Sequence, residues 1–148
     1  MISQNITKMI GEAMKAHDTI RVSTLRMLSS EFNYEKIKLQ HDLSDQEELS
    51  VVRKEAKKRK EAIELYQNQN IKDKLEQEKA ELIILQDFLP AELTDEELNQ
   101  LISDSINELG AKSIQDLGRV IGFVKSKAPG ADGGTVAQLV RQKLGVDN

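Results

Sequence analysis

The sequence ILQDFLPAELTDEEL at residues 84–98 divides the chain into two parts of different composition. Upstream of it, the first 89 residues contain a single glycine, Gly11, and no proline, which is typical of long helices joined by polar turns. Pro90 ends a helix because its ring clashes with the preceding turn, and Thr94 to Glu97 has the spacing of a capping box that starts another. We therefore predict an N-terminal helical domain, residues 1–90, and a smaller tail domain, residues 91–148.

Four longer helices are predicted in the N-terminal part, because apolar residues recur there at helical spacing. The third helix opens with a Ser44–Glu47 capping box and runs to about Asn68, and the fourth is expected to end at Pro90. The predicted N-caps of the four helices are, in chain order, Ser3, Asp18, Ser44 and Asn70.

Three shorter helices are predicted in the tail. The first starts at Thr94 and stops at Gly110, the second is capped by Ser113, and the third follows the loop 128–133 and stops at Gly145. No segment alternates apolar and polar residues as a strand does, so no sheet is expected. The predicted fold is all-α, with a four-helix N-terminal part followed by a small three-helix C-terminal domain.

Composition excludes several classes of chemistry. The 148 residues include no cysteine, which excludes disulfides, thiolate zinc sites and thiol catalysis. His17 and His41 lie far apart, and no serine elbow, P-loop or dinucleotide fingerprint occurs, so we expect no catalytic residues, no cofactor and no metal. The first residues lack the apolar run of a signal peptide, and no window approaches the roughly 18 apolar residues of a membrane span. We expect a cytoplasmic protein that does not bind membranes.

Charge is unevenly distributed in the tail. Residues 90–110 carry six acids and no base, whereas residues 111–145 carry six bases and two acids, a local balance of +4. The acids of the first segment are Glu92, Asp95, Glu96, Glu97, Asp104 and Glu108, and the bases of the second are Lys112, Arg119, Lys125, Lys127, Arg141 and Lys143.

A second basic cluster lies in the predicted third helix. Arg53, Lys57 and Lys60 have i, i+4, i+7 spacing, which places them in a strip along one edge of the apolar face. The strip is either a contact for a phosphate backbone or a solvated face balanced by Glu61 and Glu64. The acidic balance of the whole chain, with a pI of 5.3, argues against general nucleic-acid binding but allows a local contact with one shaped RNA. We expect no DNA binding.

Residues 116–127, DLGRVIGFVKSK, place Gly118 and Gly122 one turn apart inside a predicted helix. Each glycine costs such a helix about 1 kcal/mol relative to alanine, so it needs a reason. One interpretation is close helix–helix packing; the other is a smooth, basic-edged surface that a nucleic-acid backbone can approach. Phe123 points away from the apolar face and is a candidate stacking platform.

The chain resembles the GatB/YqeY family in four segments, TLRML at 24–28, ILQDFLPAEL at 84–93, DLGRVIG at 116–122 and GADG at 130–133. With the long charged third helix and the terminal amphipathic helix, the resemblance extends over essentially the whole chain. The resemblance implies a two-part helical fold. In the B subunit of the tRNA-dependent amidotransferase a domain like this contacts tRNA while a separate domain is catalytic, and similar domains are appended to some glutaminyl-tRNA synthetases. A stand-alone chain of this kind would keep the RNA contact without the catalytic parts.

The resemblance implies an RNA contact in the tail at Gly118, Arg119, Gly122, Lys125, Lys127, Arg141 and Lys143. The strip of Arg53, Lys57 and Lys60 completes the expected nucleic-acid-binding set. We therefore expect a non-catalytic tRNA-binding accessory protein, related to the tails of amidotransferases, which are carbon–nitrogen ligases with glutamine as amido-N donor. An amidotransferase or an aminoacyl-tRNA synthetase is a candidate protein partner. The alternative is a protein–protein adaptor that does not bind RNA and docks through the helix-three strip and the acidic fifth helix.

Overall fold

The computed structural model describes residues 1–145 as seven α-helices and one short 3-10 turn, with no strand in that range. The helices are α1 (Ile2–Lys15), α2 (Thr19–Leu39), α3 (Asp45–Asn68), α4 (Lys72–Gln86), α5 (Asp95–Leu109), α6 (Leu117–Lys127) and α7 (Gly133–Lys143), and the 3-10 turn is Ile114–Asp116. The prediction of an all-helical chain is confirmed. The last three residues of the predicted tail domain, 146–148, lie outside the described residues.

The described helices form two compact units, an N-terminal unit of Met1–Pro90 with α1 to α4 and a C-terminal unit that starts at Ala91 with α5 to α7. The buried core of the N-terminal unit is centred on Leu25, Leu28, Phe32, Val52 and Leu85. The core of the C-terminal unit is centred on Ile102, Val120, Val124, Val136 and Val140. Because each cluster is drawn from one unit alone, each unit buries its own apolar surface.

Several helix ends that are fixed by residues close in the sequence lie at their predicted positions. The Asp18 side chain accepts a hydrogen bond from the backbone N–H of Arg21 at 3.0 Å and caps α2. Ser44 with Glu47, and Thr94 with Glu97, form capping boxes at the starts of α3 and α5. Gly110 ends α5 with a φ of +62°, the left-handed conformation that glycine adopts without a Cβ penalty.

The predicted Ser3 cap of α1 is wrong, because the cap comes from another helix. The helix already begins at Ile2, and the Glu48 carboxylate of α3 accepts the backbone N–H of Ile2 at 2.7 Å and that of Ser3 at 3.2 Å. The Ser3 hydroxyl donates to the same carboxylate. Glu48 is only 1% exposed, so this contact is part of the unit's interior. A buried carboxylate therefore satisfies amides that would otherwise be left unpaired at the helix start.

The turn between α3 and α4 also differs from the prediction. Asn70 does not cap α4; its φ is +56°, and it makes the reversal between the two helices, a conformation that asparagine tolerates better than most residues. Ile71 holds the N-cap position of α4 and makes no side-chain cap. The helix ends at Gln86 rather than at Pro90, and the backbone N–H of Leu89 closes a final turn onto Gln86.

A 3-10 turn that the sequence pattern does not predict precedes α6. The predicted cap, Ser113, is the N-cap of this turn, and α6 starts only at Leu117. The Asp116 carboxylate accepts the backbone N–H groups of Lys112 at 2.9 Å and Ser113 at 3.2 Å. Asp116 thereby closes this connection onto the first turn of α6.

Candidate nucleic-acid interface

Two glycines leave part of the α6 surface without side chains. Gly118 and Gly122 are exposed, and a Cβ built at either position meets no atom of residues 1–145 within 4 Å. The buried side of the same helix is formed by Val120 and Val124, both 0% exposed. Within the described part of the C-terminal unit, the close-packing interpretation of the glycines is therefore wrong. Their cost of about 1 kcal/mol each relative to alanine is not offset by a packing contact at the missing Cβ positions among these residues.

Arg119, between the two glycines, is held in place by its own unit. Its Nη2 donates to the carbonyl oxygen of Leu109, at the end of α5, at 3.2 Å and to Asp116 Oδ1 at 3.0 Å. The side chain is still 53% exposed. A guanidinium has further N–H donors, so Arg119 can keep this position and also donate to a phosphate.

Asp116 is the residue that fixes the position of Arg119. The backbone N–H groups of Lys112 and Ser113 hold the pKa of Asp116 below its ordinary value, and the Arg119 guanidinium contributes a smaller lowering. Asp116 is therefore ionised throughout the neutral range and remains a partner for Arg119.

Lys125 and Lys127, near the end of α6, have different surroundings. Lys125 is half-buried and its Nζ donates to the carbonyl oxygen of Ala131 at 3.2 Å, so it holds the loop before α7. Lys127 is exposed; its Nζ lies 3.4 Å from Glu108 Oε2 on α5 and 4.5 Å from the centre of the Phe123 ring. The half-buried ring of Phe123 is therefore covered on one face by an ammonium group.

Arg141 and Lys143 are the two bases of the predicted site on α7. Both are exposed in the last turn of α7, and neither forms an ion pair with another residue in the range 1–145. Cations at this end of a helix also interact favourably with its dipole.

The strip of Arg53, Lys57 and Lys60 lies on α3 in the N-terminal unit. Lys57 and Lys60 are exposed, while Arg53 is half-buried. The structure thus places the predicted site residues in two groups, one in each unit.

Sequence reasoning missed Arg59, a further base of α3 that contacts three acidic side chains. Arg59 Nε lies 2.7 Å from Glu81 Oε2 and 3.5 Å from Glu78 Oε2, and its Nη1 lies 3.7 Å from Glu55 Oε2. Burial raises the pKa of Glu78, and Glu81 adds to the shift, while Arg59 opposes it. The signal was available in part, since Arg59 is three residues from Ala56 and falls on the apolar side of α3.

Within residues 1–145, no group of three or more histidine, cysteine or acidic side chains is placed to hold a metal ion. His41 Nδ1 lies 2.7 Å from the carbonyl oxygen of Asp42, at an exposed helix connection. Across the same range, no helix combines the length and apolar character required to cross a bilayer.

Comparison with known proteins identifies a family. The family model described as Yqey-like protein matches residues 3–144, nearly the whole chain. No curated protein matches the sequence. The family match confirms the resemblance found in the sequence, while the tRNA contact and the relationship to amidotransferases remain predictions.

Proposed function

We propose that this chain, which belongs to the Yqey-like family, is a non-catalytic cytoplasmic accessory protein that binds tRNA and acts alongside glutamine-dependent amidation of misacylated tRNA. The observation that carries the proposal is the exposed glycine strip, Gly118 and Gly122, beside Arg119. The two glycines lower the stability of α6, and no described residue packs where their Cβ atoms would lie, so a role in binding accounts for them better than a role in folding.

The physical basis is close approach of one backbone to another. A helix face without side chains lets a sugar–phosphate backbone come near the peptide groups. Arg119 lies between the two glycines in the sequence, and Asp116 orients its guanidinium. Arg141 and Lys143 supply open positive charge in the same unit. Contacts of this kind recognise shape and phosphate positions rather than base sequence, which suits a folded RNA.

The α3 strip supports a second phosphate contact. Lys57 and Arg53 form no ion pair among the described residues, whereas their neighbours Lys58 and Arg59 are bound to acids. We include Arg53, Lys57 and Lys60 in the proposed binding set, and they are tested separately from the C-terminal unit.

The test is fluorescence anisotropy with bulk tRNA and with a generic RNA duplex across a salt series. We expect tighter binding to tRNA than to the duplex and a linear fall of log K with log salt. Arg141→Ala with Lys143→Ala should weaken binding and reduce the magnitude of the salt slope by about 1.5, because each phosphate contact contributes about 0.7 to 0.9. Arg53→Ala with Lys57→Ala tests the α3 strip in the same way.

A matched control removes the same charge elsewhere. Lys8→Ala with Lys15→Ala takes two exposed bases from α1, so it reports the effect of net charge alone. Equal losses in the control and in the α7 pair would contradict the site. Glutaminase activity or ATP hydrolysis by the purified chain would contradict the non-catalytic assignment.

The adaptor alternative has one observation in its favour. The acids of residues 90–110 are all exposed: Glu92, Asp95, Glu96, Glu97, Asp104 and Glu108. Absence of tRNA binding at low salt, together with a stoichiometric protein partner that is lost when Asp95 and Glu96 are neutralised, would favour the adaptor.

A further inference from the structure

The ion pair between Lys127 and Glu108 joins the proposed RNA site to the acidic helix. Glu108 lies in the last turn of α5, and its Oε2 is 3.4 Å from Lys127 Nζ on α6. Both side chains are open to solvent, with 48% of Lys127 and 60% of Glu108 exposed. An exposed pair of this kind is weak, so it can exchange its acid for another anion.

Lys127 is well placed to make that exchange. Its ammonium also lies over the Phe123 ring, 4.5 Å from the centroid, and this contact does not require Glu108. The other two bases of α6 are held by groups that shape the backbone: Lys125 by the Ala131 carbonyl and Arg119 by the Leu109 carbonyl and Asp116. Among these three bases, only Lys127 is bound by a side chain that does not shape a loop between helices. Losing that contact would leave the loops of the unit unchanged.

We propose that Glu108 is an intramolecular competitor for the RNA phosphate at Lys127. The inference rests on the proposed function. In the free protein Glu108 neutralises Lys127; when RNA binds, a phosphate oxygen replaces the carboxylate while Phe123 keeps the ammonium in place. A single phosphate gains little binding free energy by this exchange, because it must displace a carboxylate. A folded RNA that also reaches Arg141 and Lys143 gains more, so Glu108 selects against isolated anions and weakly charged ligands.

Glu108→Gln should therefore increase tRNA affinity about two- to fivefold, the range expected when an exposed ion pair no longer competes. The matched control is Asp104→Asn, one turn earlier on α5. Asp104 is exposed, and its Oδ1 accepts only from the Gln100 amide at 2.9 Å, so this variant removes the same charge without releasing a base. The gain from Glu108→Gln should exceed the gain from Asp104→Asn.

A double-mutant cycle assigns the effect to Lys127. In a Lys127→Ala background the extra gain from Glu108→Gln should disappear, while the small effect of Asp104→Asn should persist. Equal gains from the two acid variants, with clear binding by the wild-type protein, would overturn the competitor role and leave the proposed function standing. The wild type and every variant should also be measured at about 50 mM salt, near the lower end of the range used for such binding assays. If none of them binds tRNA there, both the competitor role of Glu108 and the proposed function are overturned.

Discussion

Removing the Glu48 carboxylate should destabilise the N-terminal unit strongly. In Glu48→Ala, the backbone N–H groups of Ile2 and Ser3 lose acceptors at 2.7 and 3.2 Å, and the Ser3 hydroxyl loses its acceptor as well. A hydrogen bond to a charged group contributes about 1.5 to 3 kcal/mol. Because these amides lie at a helix end and regain some water, we take the lower figure for each backbone bond and expect a loss of about 3 kcal/mol.

The assay is urea unfolding followed by far-UV circular dichroism at pH 7. With an m-value of about 2 kcal/mol/M, the midpoint of the N-terminal transition should fall by about 1.5 M. Glu48→Gln keeps one oxygen acceptor and should lose about half as much free energy. Glu64→Ala, at an exposed position of the same helix, is the control and should change stability by about 0.5 kcal/mol or less. A loss below about 1 kcal/mol in Glu48→Ala would refute the assignment of Glu48 as the cap of α1.

Burial raises the folded-state pKa of Glu78, so ionising this carboxyl lowers the stability of the folded state as the pH rises through that pKa. Glu78→Gln should therefore raise the urea midpoint more at pH 7.5 than at pH 4.5. An equal shift of the midpoint at the two pH values would contradict this prediction. Gly118→Ala should stabilise the C-terminal unit by about 0.5 to 1 kcal/mol, since the added Cβ meets no atom of the described residues. The same variant should weaken tRNA binding in the anisotropy assay. Unchanged affinity would argue against close approach of the RNA backbone to α6. The fragment of residues 1–90 should fold alone with a cooperative urea transition, because its core uses only its own residues, and a fragment without helical signal would contradict a separate domain.

The sequence predicts helix ends well where the signal is local. Ser44, Thr94 and Gly110 each act on residues within four positions along the chain, and all three lie where the patterns place them. The predicted N-caps Ser3 and Asn70 are wrong, for different reasons. The start of α1 is satisfied by Glu48, 46 residues away, which no local pattern can indicate, and Asn70 is used for its tolerance of positive φ rather than for its side chain.

The candidate site was harder to predict because its charges depend on tertiary neighbours. A count of bases gives the segment 111–145 a surplus of positive charge, but Arg119, Lys125 and Lys127 are each bound by a carbonyl or a carboxylate from elsewhere in the unit. Replacing Arg119 therefore loosens the end of α5 as well as removing a cation, and its loss of binding would be ambiguous. Arg141 and Lys143 have no such role in the described range, so they give the cleaner test of phosphate contact.

The folded structure is needed to choose between the two interpretations of the α6 glycines. Helices that pack closely and helices that present a bare face to a ligand need the same pattern, two small residues one turn apart, so the sequence fits both interpretations. The difference lies in what occupies the space beyond the missing Cβ atoms, and around Gly118 and Gly122 that space is open. Two unfavourable residues on an exposed surface of a small unit lower its stability without improving its core, and the proposed approach of an RNA backbone supplies a physical reason for them.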